Sequence, residues 1–414
     1  MSSGYASTRP AGARGSLPRA AELLRPEEVL FFLLVSPEPS KAEAAALLER
    51  GVDWNHFLSL VAEEGLAGTA WRGLQSLGVP LPPDVAAQMQ GRAVLSDFRL
   101  GAVHRLLERT IAAYSAAGIE VMLVKGAALS TFYYADPCDR NMADIDLLVP
   151  ADRAREAVSL AQRHGWSIDE EEYREALYEG HHHLPPMSDT LGLDIRLEIH
   201  TEVLPQGHPL HFGADALRAR AEERRTKGGS VVRVPSLEDL LLYSCLHLGW
   251  SHEMRDGGWR TFRDVSEVIR QPDFSWDRFL VLARDRTLAG ACYWTFELAN
   301  RLCGLETPAR VLDALRPELP EWVHEFVARH YSLQLVPLSR LNPSEALSRM
   351  LWNVAMRPGQ AGHGRARPWD HVERRIVRSQ RLGFSRVAEH SERWWRHAMG
   401  IRQALSYVRR LASH

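Results

Sequence analysis

The chain has 414 residues and a formal net charge of −2, with 50 basic side chains against 52 acidic ones, and that length leaves room for two or three domains with an ample core. Its four cysteines, Cys138, Cys245, Cys292 and Cys303, show neither zinc spacing nor a disulfide framework, which predicts a reducing, cytoplasmic setting and no need for zinc. The longest early apolar run, seven residues from Val29, is too short to cross a bilayer, and no charged-then-apolar signal layout precedes it, so stable membrane association is not expected.

Residues 1–24 are rich in Ser, Gly, Ala, Pro and Arg and read as disordered. A Pro-Glu-Glu start at Pro26 opens a helix. Pro and Gly punctuation then separates helices over 41–50, 54–64, 68–77 and 83–117, giving a helical N-terminal region, 25–118. An α/β core is expected over 119–235. It begins with a buried strand at 121–124, followed by Lys125, Gly126 and a helical stretch to Tyr134. A loop bearing Asp136, Asp139 and Arg140 leads to a second strand at 145–149. Beyond it come a helix over 151–164 ended by Gly165, strands at 178–184 and 193–203, and a last strand at 231–235 after the turn at Gly228 and Gly229. Ser236 and Asp239 form a capping start for a second helical region reaching 356. A Pro- and Gly-rich linker and a basic tail make up 357–414. Between Arg365 and Arg410 there are 12 Arg against 4 acids.

The stretch from 119 to 150 carries the chemistry. Asp144 and Asp146 flank Ile145, and residues two apart on a strand share a face. Two neighbouring carboxylates repel, and a hard divalent cation such as Mg²⁺ (or Mn²⁺) relieves that repulsion. Gly126 has no side chain, so the helix start around it can offer backbone N–H groups to a phosphate. Strand, Gly, helix, then a strand with Asp-x-Asp describes a site for a metal-bound triphosphate. Lysine occurs only three times, at Lys41, Lys125 and Lys227, so its place beside Gly126 draws notice. Lys125 has two readings: contact with phosphate, or pairing with a structural carboxylate.

These residues resemble the nucleotidyltransferase superfamily typified by DNA polymerase β, and within it a bacterial group of uncharacterised nucleotidyltransferases. The resemblance rests on Lys125, Gly126, Arg140, Asp144 and Asp146, with Lys-Gly standing where many members have Gly-Ser. It implies an α+β fold, a polymerase β-like core of a small mixed sheet with helices, flanked by helical N- and C-terminal regions. It also implies transfer of a nucleotidyl group from an NTP, with pyrophosphate leaving, to an acceptor that is a small molecule, a protein or an RNA. Asp144 and Asp146 would be metal ligands, and Lys125, Gly126 and Arg140 would meet the phosphates. Arg140 has the alternative of pairing with Asp139 or Glu120. A third carboxylate is implied on a later strand. The strand at 193–203 places Asp194, Arg196, Glu198, His200 and Glu202 on one face, and the group's Glu-x-His pattern falls on Glu198 and His200. Glu198 is therefore the expected third carboxylate, as metal ligand or general base, with Asp194 as the alternative.

Other features have plainer readings. His181, His182 and His183 cannot all point one way on a strand, which speaks against a zinc site; His183 lines the substrate site or packs. His247, His252, Trp259 and Asp264 either glue helices together or contact the base or acceptor. The tail, with Trp369, Trp394 and Trp395, suits nucleic acid or a membrane surface on one reading, and a solvated helix or one docked on the chain itself on the other. Two rival functions share the fold: a binding module without catalysis, and a toxin- or antitoxin-type nucleotidyltransferase acting on tRNA or protein.

Overall fold

The computed structural model describes residues 23–36, 38–168, 178–208, 210–255, 257–284, 286–336, 343, 345–356, 407–409 and 411. Five helices come first: α1 (Pro26–Val35), α2 (Lys41–Glu49), α3 (Trp54–Glu63), α4 (Ala67–Leu77) and α5 (Pro83–Ala116). The apolar run in α1 has no helical period because the helix is buried on every side from Glu27 to Val35. Glu28 is kept among these apolar residues by accepting from the Arg25 backbone N–H at 2.9 Å.

A mixed sheet of seven strands follows, in the order β3-β4-β5-β2-β1-β7-β6. Its members are β1 (Met122–Leu123), β2 (Asp144–Leu148), β3 (Trp166–Ser167), β4 (Met187–Asp189), β5 (Arg196–His200), β6 (Glu222–Arg225) and β7 (Val231–Val234). Helix α6 (Lys125–Phe132) joins β1 to β2, α7 (Ala154–Arg163) joins β2 to β3, and α8 (Ala214–Arg220) precedes β6. At the centre, β2 runs antiparallel to β1 and parallel to β5. Ile145, Leu147, Leu197 and Ile199 all point into the core, so the polar residues of β2 and β5 share the opposite face.

Three expectations need correction. No strand covers 178–184; His183 makes only an isolated bridge to His200. Gly180 turns the chain at φ 78°, and Pro185 and Pro186 cannot donate to a ladder, so the strand starts later, at β4, and pairs antiparallel with β5. The predicted strand at 193–203 shortens to β5, because Asp194 sits at φ 53°. β3 and β6 were not expected: β3 is two residues long, and β6 consists of Glu and Arg, mostly exposed, with backbone pairing to β7 alone defining it.

The second helical region contains α9 (Leu237–Leu246), a π-helical turn at His247–Ser251, α10 (Gly258–Ile269), α11 (Trp276–Leu282), α12 (Arg286–Cys303), α13 (Ala309–Leu315), α14 (Glu321–Gln334) and α15 (Glu345–Met356). α12 packs against both α1 and α9, so the two helical regions share a core. The predicted disorder of residues 1–22, the linker from 357 and the tail tryptophans lie outside the described residues. Within the tail, Tyr407 and Leu411 are buried. Tyr407 Oη is 2.8 Å from His330 Nδ1, and the Leu411 carbonyl accepts from Arg329 at 3.0 Å, so both rest on α14. Among the described residues, no helix is long and apolar enough to cross a membrane.

The start of α9 ties the helical region to the sheet. Ser236 Oγ accepts from the Asp239 backbone N–H at 3.2 Å and donates to the Asp239 carboxylate at 2.7 Å. Arg220, at the end of α8, grips the same buried carboxylate with two hydrogen bonds of 2.8 and 2.7 Å. Asp239→Ala removes the carboxylate's bond from Ser236 and the Arg220 fork together, and leaves the backbone cap in place. Its expected loss is about 1–3 kcal/mol of stability, read as a lower urea midpoint; an unchanged midpoint would show that this junction carries no stability.

Candidate active site

Strand register builds the site. β2 and β5 pair with Asp144 opposite Arg196, Asp146 opposite Glu198, and Leu148 opposite His200. In a parallel pair, side chains at matched positions project to the same side. Asp146 and Glu198 are therefore neighbours, and His200 follows on the same face. His200 Nε2 lies 2.8 Å from Asp146 Oδ1 and 3.4 Å from Glu198 Oε2. Ligand atoms of Asp146, Glu198 and His200 all fall within 4.8 Å of one another.

Lys125 supplies the positive charge. It is the first residue of α6 and adopts φ 47°, a left-handed conformation uncommon for a residue with a side chain. Its Nζ reaches Asp146 Oδ1 at 2.8 Å and sits 5.5 Å from the centroid of the Tyr243 ring on α9. Asp194, the alternative third carboxylate, is exposed, lies before β5 and adopts φ 53°.

Burial and charge work against each other here. Burial alone would raise the Asp146 carboxyl, but Lys125 and His200 outweigh it and hold the pKa at about 2. Lys125 and Arg140 act on Asp144 too weakly to do the same. Burial and then repulsion from Asp146 push it up to about 6. Burial would also raise Glu198, yet His183, His200 and Lys125 keep it well below the usual carboxylate range. Burial works to discharge Lys125, and Asp146 more than offsets this, so the ammonium stays charged. His200 is raised: burial opposes its protonation, and the bonds to Asp146 and Glu198 prevail. Above pH ~6 the three carboxylates face one ammonium, an excess of negative charge that suits a divalent cation.

Arg140 and Gly126 have another partner. Arg140 Nε and Nη2 bond to Asp264 at 3.1 and 2.8 Å, and Nη1 donates to the Asn141 carbonyl at 2.8 Å. Tyr134 Oη donates to the same Asp264 carboxylate at 2.7 Å. Asp139 instead pairs with Arg72. A Cβ on residue 126 would lie 2.8 Å from Arg140 Nη1, so the glycine lets the guanidinium pack flat against the start of α6. Asp264 thus links α10 to the turn before β2, across 124 positions of sequence.

A family model described as uncharacterised nucleotidyltransferase matches residues 50–304. The chain belongs to that family. No curated protein and no solved structure matches it. The matched stretch spans the whole sheet and contains Lys125, Gly126, Arg140, Asp144, Asp146, Glu198, His200 and Asp264.

The remaining histidines and Trp259 divide. Trp259 Nε1 donates to Glu64, joining α10 to the end of α3. His247 and His252 meet each other through Nε2 at 3.2 Å. A cleft opens between the sheet and the helical region, lined in part by Lys125, His182, His208, Tyr243, His247 and Trp250. Tyr243 was missed by sequence reasoning; it lies in a helix buried on every side and nothing local marks it. The bridging position of His200 follows from register, which a single strand cannot reveal.

Asp144 gives a sign that can be checked. Its folded pKa of about 6 lies above the value near 3.9 of an unfolded aspartate. Its favourable contribution is complete below pH ~4 and is lost as pH rises through about 6. In chelator at pH 7.5, Asp144→Asn should melt above the wild type, by roughly 2–4 °C per kcal/mol relieved. The gap should close by pH 4.5. A variant that melts lower at pH 7.5 would mean that the Asp144 charge is not under strain.

Proposed function

We propose that the chain is a divalent-cation-dependent nucleotidyltransferase with a polymerase β-like core, moving a nucleotidyl group from an NTP to an acceptor with release of pyrophosphate. The observation that carries this reading is the register pairing of Asp146 with Glu198 beside Lys125. The order β1, α6, β2 with acids on β2, and a further acid on the adjacent parallel β5, supports the same core.

Asp144, Asp146 and Glu198 would hold the cation, Mg²⁺ or Mn²⁺; all three lie in or beside one acidic, largely buried face. When bound, the cation neutralises phosphate charge and makes an acceptor hydroxyl easier to deprotonate. The chain's own groups do the rest. Lys125 offsets Asp146 before substrate arrives, and its single bond lets it turn toward a phosphate oxygen. Gly126 leaves the start of α6 open to close approach. Arg140 is clamped on Asp264 and adds a fixed positive charge beneath that turn. Glu198, with its side chain 20% exposed against 2% for Asp146, faces outward enough to take the acceptor proton. The cleft between Lys125 and Trp250 would receive the base or the acceptor.

One observation favours a second reading, nucleotide binding without transfer: an ammonium already occupies the Asp146 oxygen where a cation would sit. Incubation with each α-labelled NTP, Mg²⁺ and a cell lysate separates the two readings. Transfer of label supports the first; NTP binding with no labelled product under any condition supports the second. Glu198→Gln should lower the single-turnover rate about 10²–10⁴-fold while NTP affinity stays within a few-fold. Transfer at wild-type rate by this variant would remove Glu198 from the mechanism.

A further inference from the structure

The histidine triplet, set aside above on the premise that it lies in a strand, does not lie in one. Ligand atoms of His181, His182 and His183 come within 4.8 Å of one another. His183 is the member that reaches the carboxylates. Its Nδ1 is 2.6 Å from the Leu184 carbonyl oxygen. A carbonyl can only accept, so the ring proton is on Nδ1, and Nε2 presents a lone pair. That lone pair faces Glu198 Oε2 at 3.7 Å. Two electron-rich atoms held at this separation in a buried site call for something positive between them.

The two candidates are a second proton on His183 and a metal ion. A metal-ligating histidine almost always donates its other ring N–H to a carbonyl or carboxylate, and the His183–Leu184 contact has that form. The donor spacing also suits an ion. Bonds of about 2.0–2.2 Å put neighbouring donors roughly 3.0–3.5 Å apart, against 3.7 Å here before any ion draws them in. His200 acts differently. Its Nε2 serves Asp146 at 2.8 Å, and its Nδ1 is buried with no hydrogen-bond partner. The tautomer with the proton on Nε2 is therefore the less costly one, since it leaves no buried N–H unsatisfied. His200 in this form holds the carboxylate in place rather than binding metal.

We propose that His183 Nε2 is a ligand, with Glu198, to a first-row transition ion at the carboxylate cluster. The candidate cation site then prefers a nitrogen-accepting metal such as Mn²⁺ or Zn²⁺ over Mg²⁺. Oxygen donors alone suit Mg²⁺, whereas an imidazole shifts preference toward the transition series. This deepens the proposed function and rests on its assignment of the carboxylates to a cation.

The test uses full-length protein stripped with chelator and titrated with Co²⁺ in excess Mg²⁺, followed by visible absorption. One equivalent of Co²⁺ should bind despite the Mg²⁺. His183→Asn keeps a donor near the Leu184 carbonyl and deletes Nε2, and should weaken Co²⁺ binding by at least about 10–100-fold. His104→Asn, at a ring that instead meets the Pro137 carbonyl, should leave it unchanged. Loss of the Co²⁺ spectrum to Mg²⁺ in the wild type would overturn the proposal and mean that only a proton bridges His183 and Glu198. Undiminished binding by a folded His183→Asn would overturn it as well. Should that variant not fold, the wild-type competition alone decides. Nucleotidyl transfer with Mg²⁺ alone and no Co²⁺ binding would sink this inference and leave the proposed function standing.

Discussion

A buried carboxylate needs a counter-charge, and the centre of this protein is arranged around supplying one to Asp146. Strand pairing puts Asp146 beside Glu198 and one step along the strand from Asp144. Left alone, such a group would stay protonated rather than accept burial as a charge. Lys125 and His200 both bond to the same Asp146 oxygen at 2.8 Å, and they keep it ionised. The consequence passes to its neighbours. Asp144 receives the repulsion with too little relief from Lys125 and Arg140, and Glu198 leans on His183 and His200. The acidic cluster is thus assembled by the same register that makes the sheet.

A second buried pair fixes the frame around the first. Arg140 lies in the turn before β2, Asp264 on α10, and Tyr134 just beyond α6; one carboxylate gathers all three regions. Removing either partner of such a pair leaves an uncompensated buried charge, which is strongly unfavourable. The helical region that carries Tyr243 and His247 is therefore held against the sheet by a polar contact with defined geometry, in addition to apolar packing. Gly126 belongs to the same device, since any side chain there would displace the guanidinium.

What could be read from the sequence follows physical locality. The helices from α2 to α5 begin and end within a residue or so of the predicted bounds, because caps, prolines and glycines act locally. The strands β1, β2 and β7 were legible as apolar runs, and the shared face of Glu198 and His200 was legible from alternation. β6 was not, since exposed Glu and Arg carry no period-2 signal and the backbone ladder alone makes the strand. The histidine triplet was misplaced for a similar reason. A left-handed glycine at 180 and two prolines after Leu184 override the strand pattern between them. The Arg140–Asp264 pair was beyond reach, because no local rule links residues 124 positions apart.

The contrast between the two ion pairs explains a compositional oddity. The chain uses Arg almost everywhere and Lys only three times, yet places a Lys on Asp146. Arg140 meets Asp264 through two nitrogens of a rigid planar fork, so its position is fixed at both edges. Lys125 meets Asp146 through one nitrogen at the end of a flexible stem. An arginine at 125 would need both edges satisfied on a carboxylate whose Oδ1 already accepts from His200. The ammonium needs one oxygen and can exchange it for another. A forked charge therefore holds the frame and a single-bonded one sits on the acidic face, and exchanging the two residue types would weaken both contacts at once.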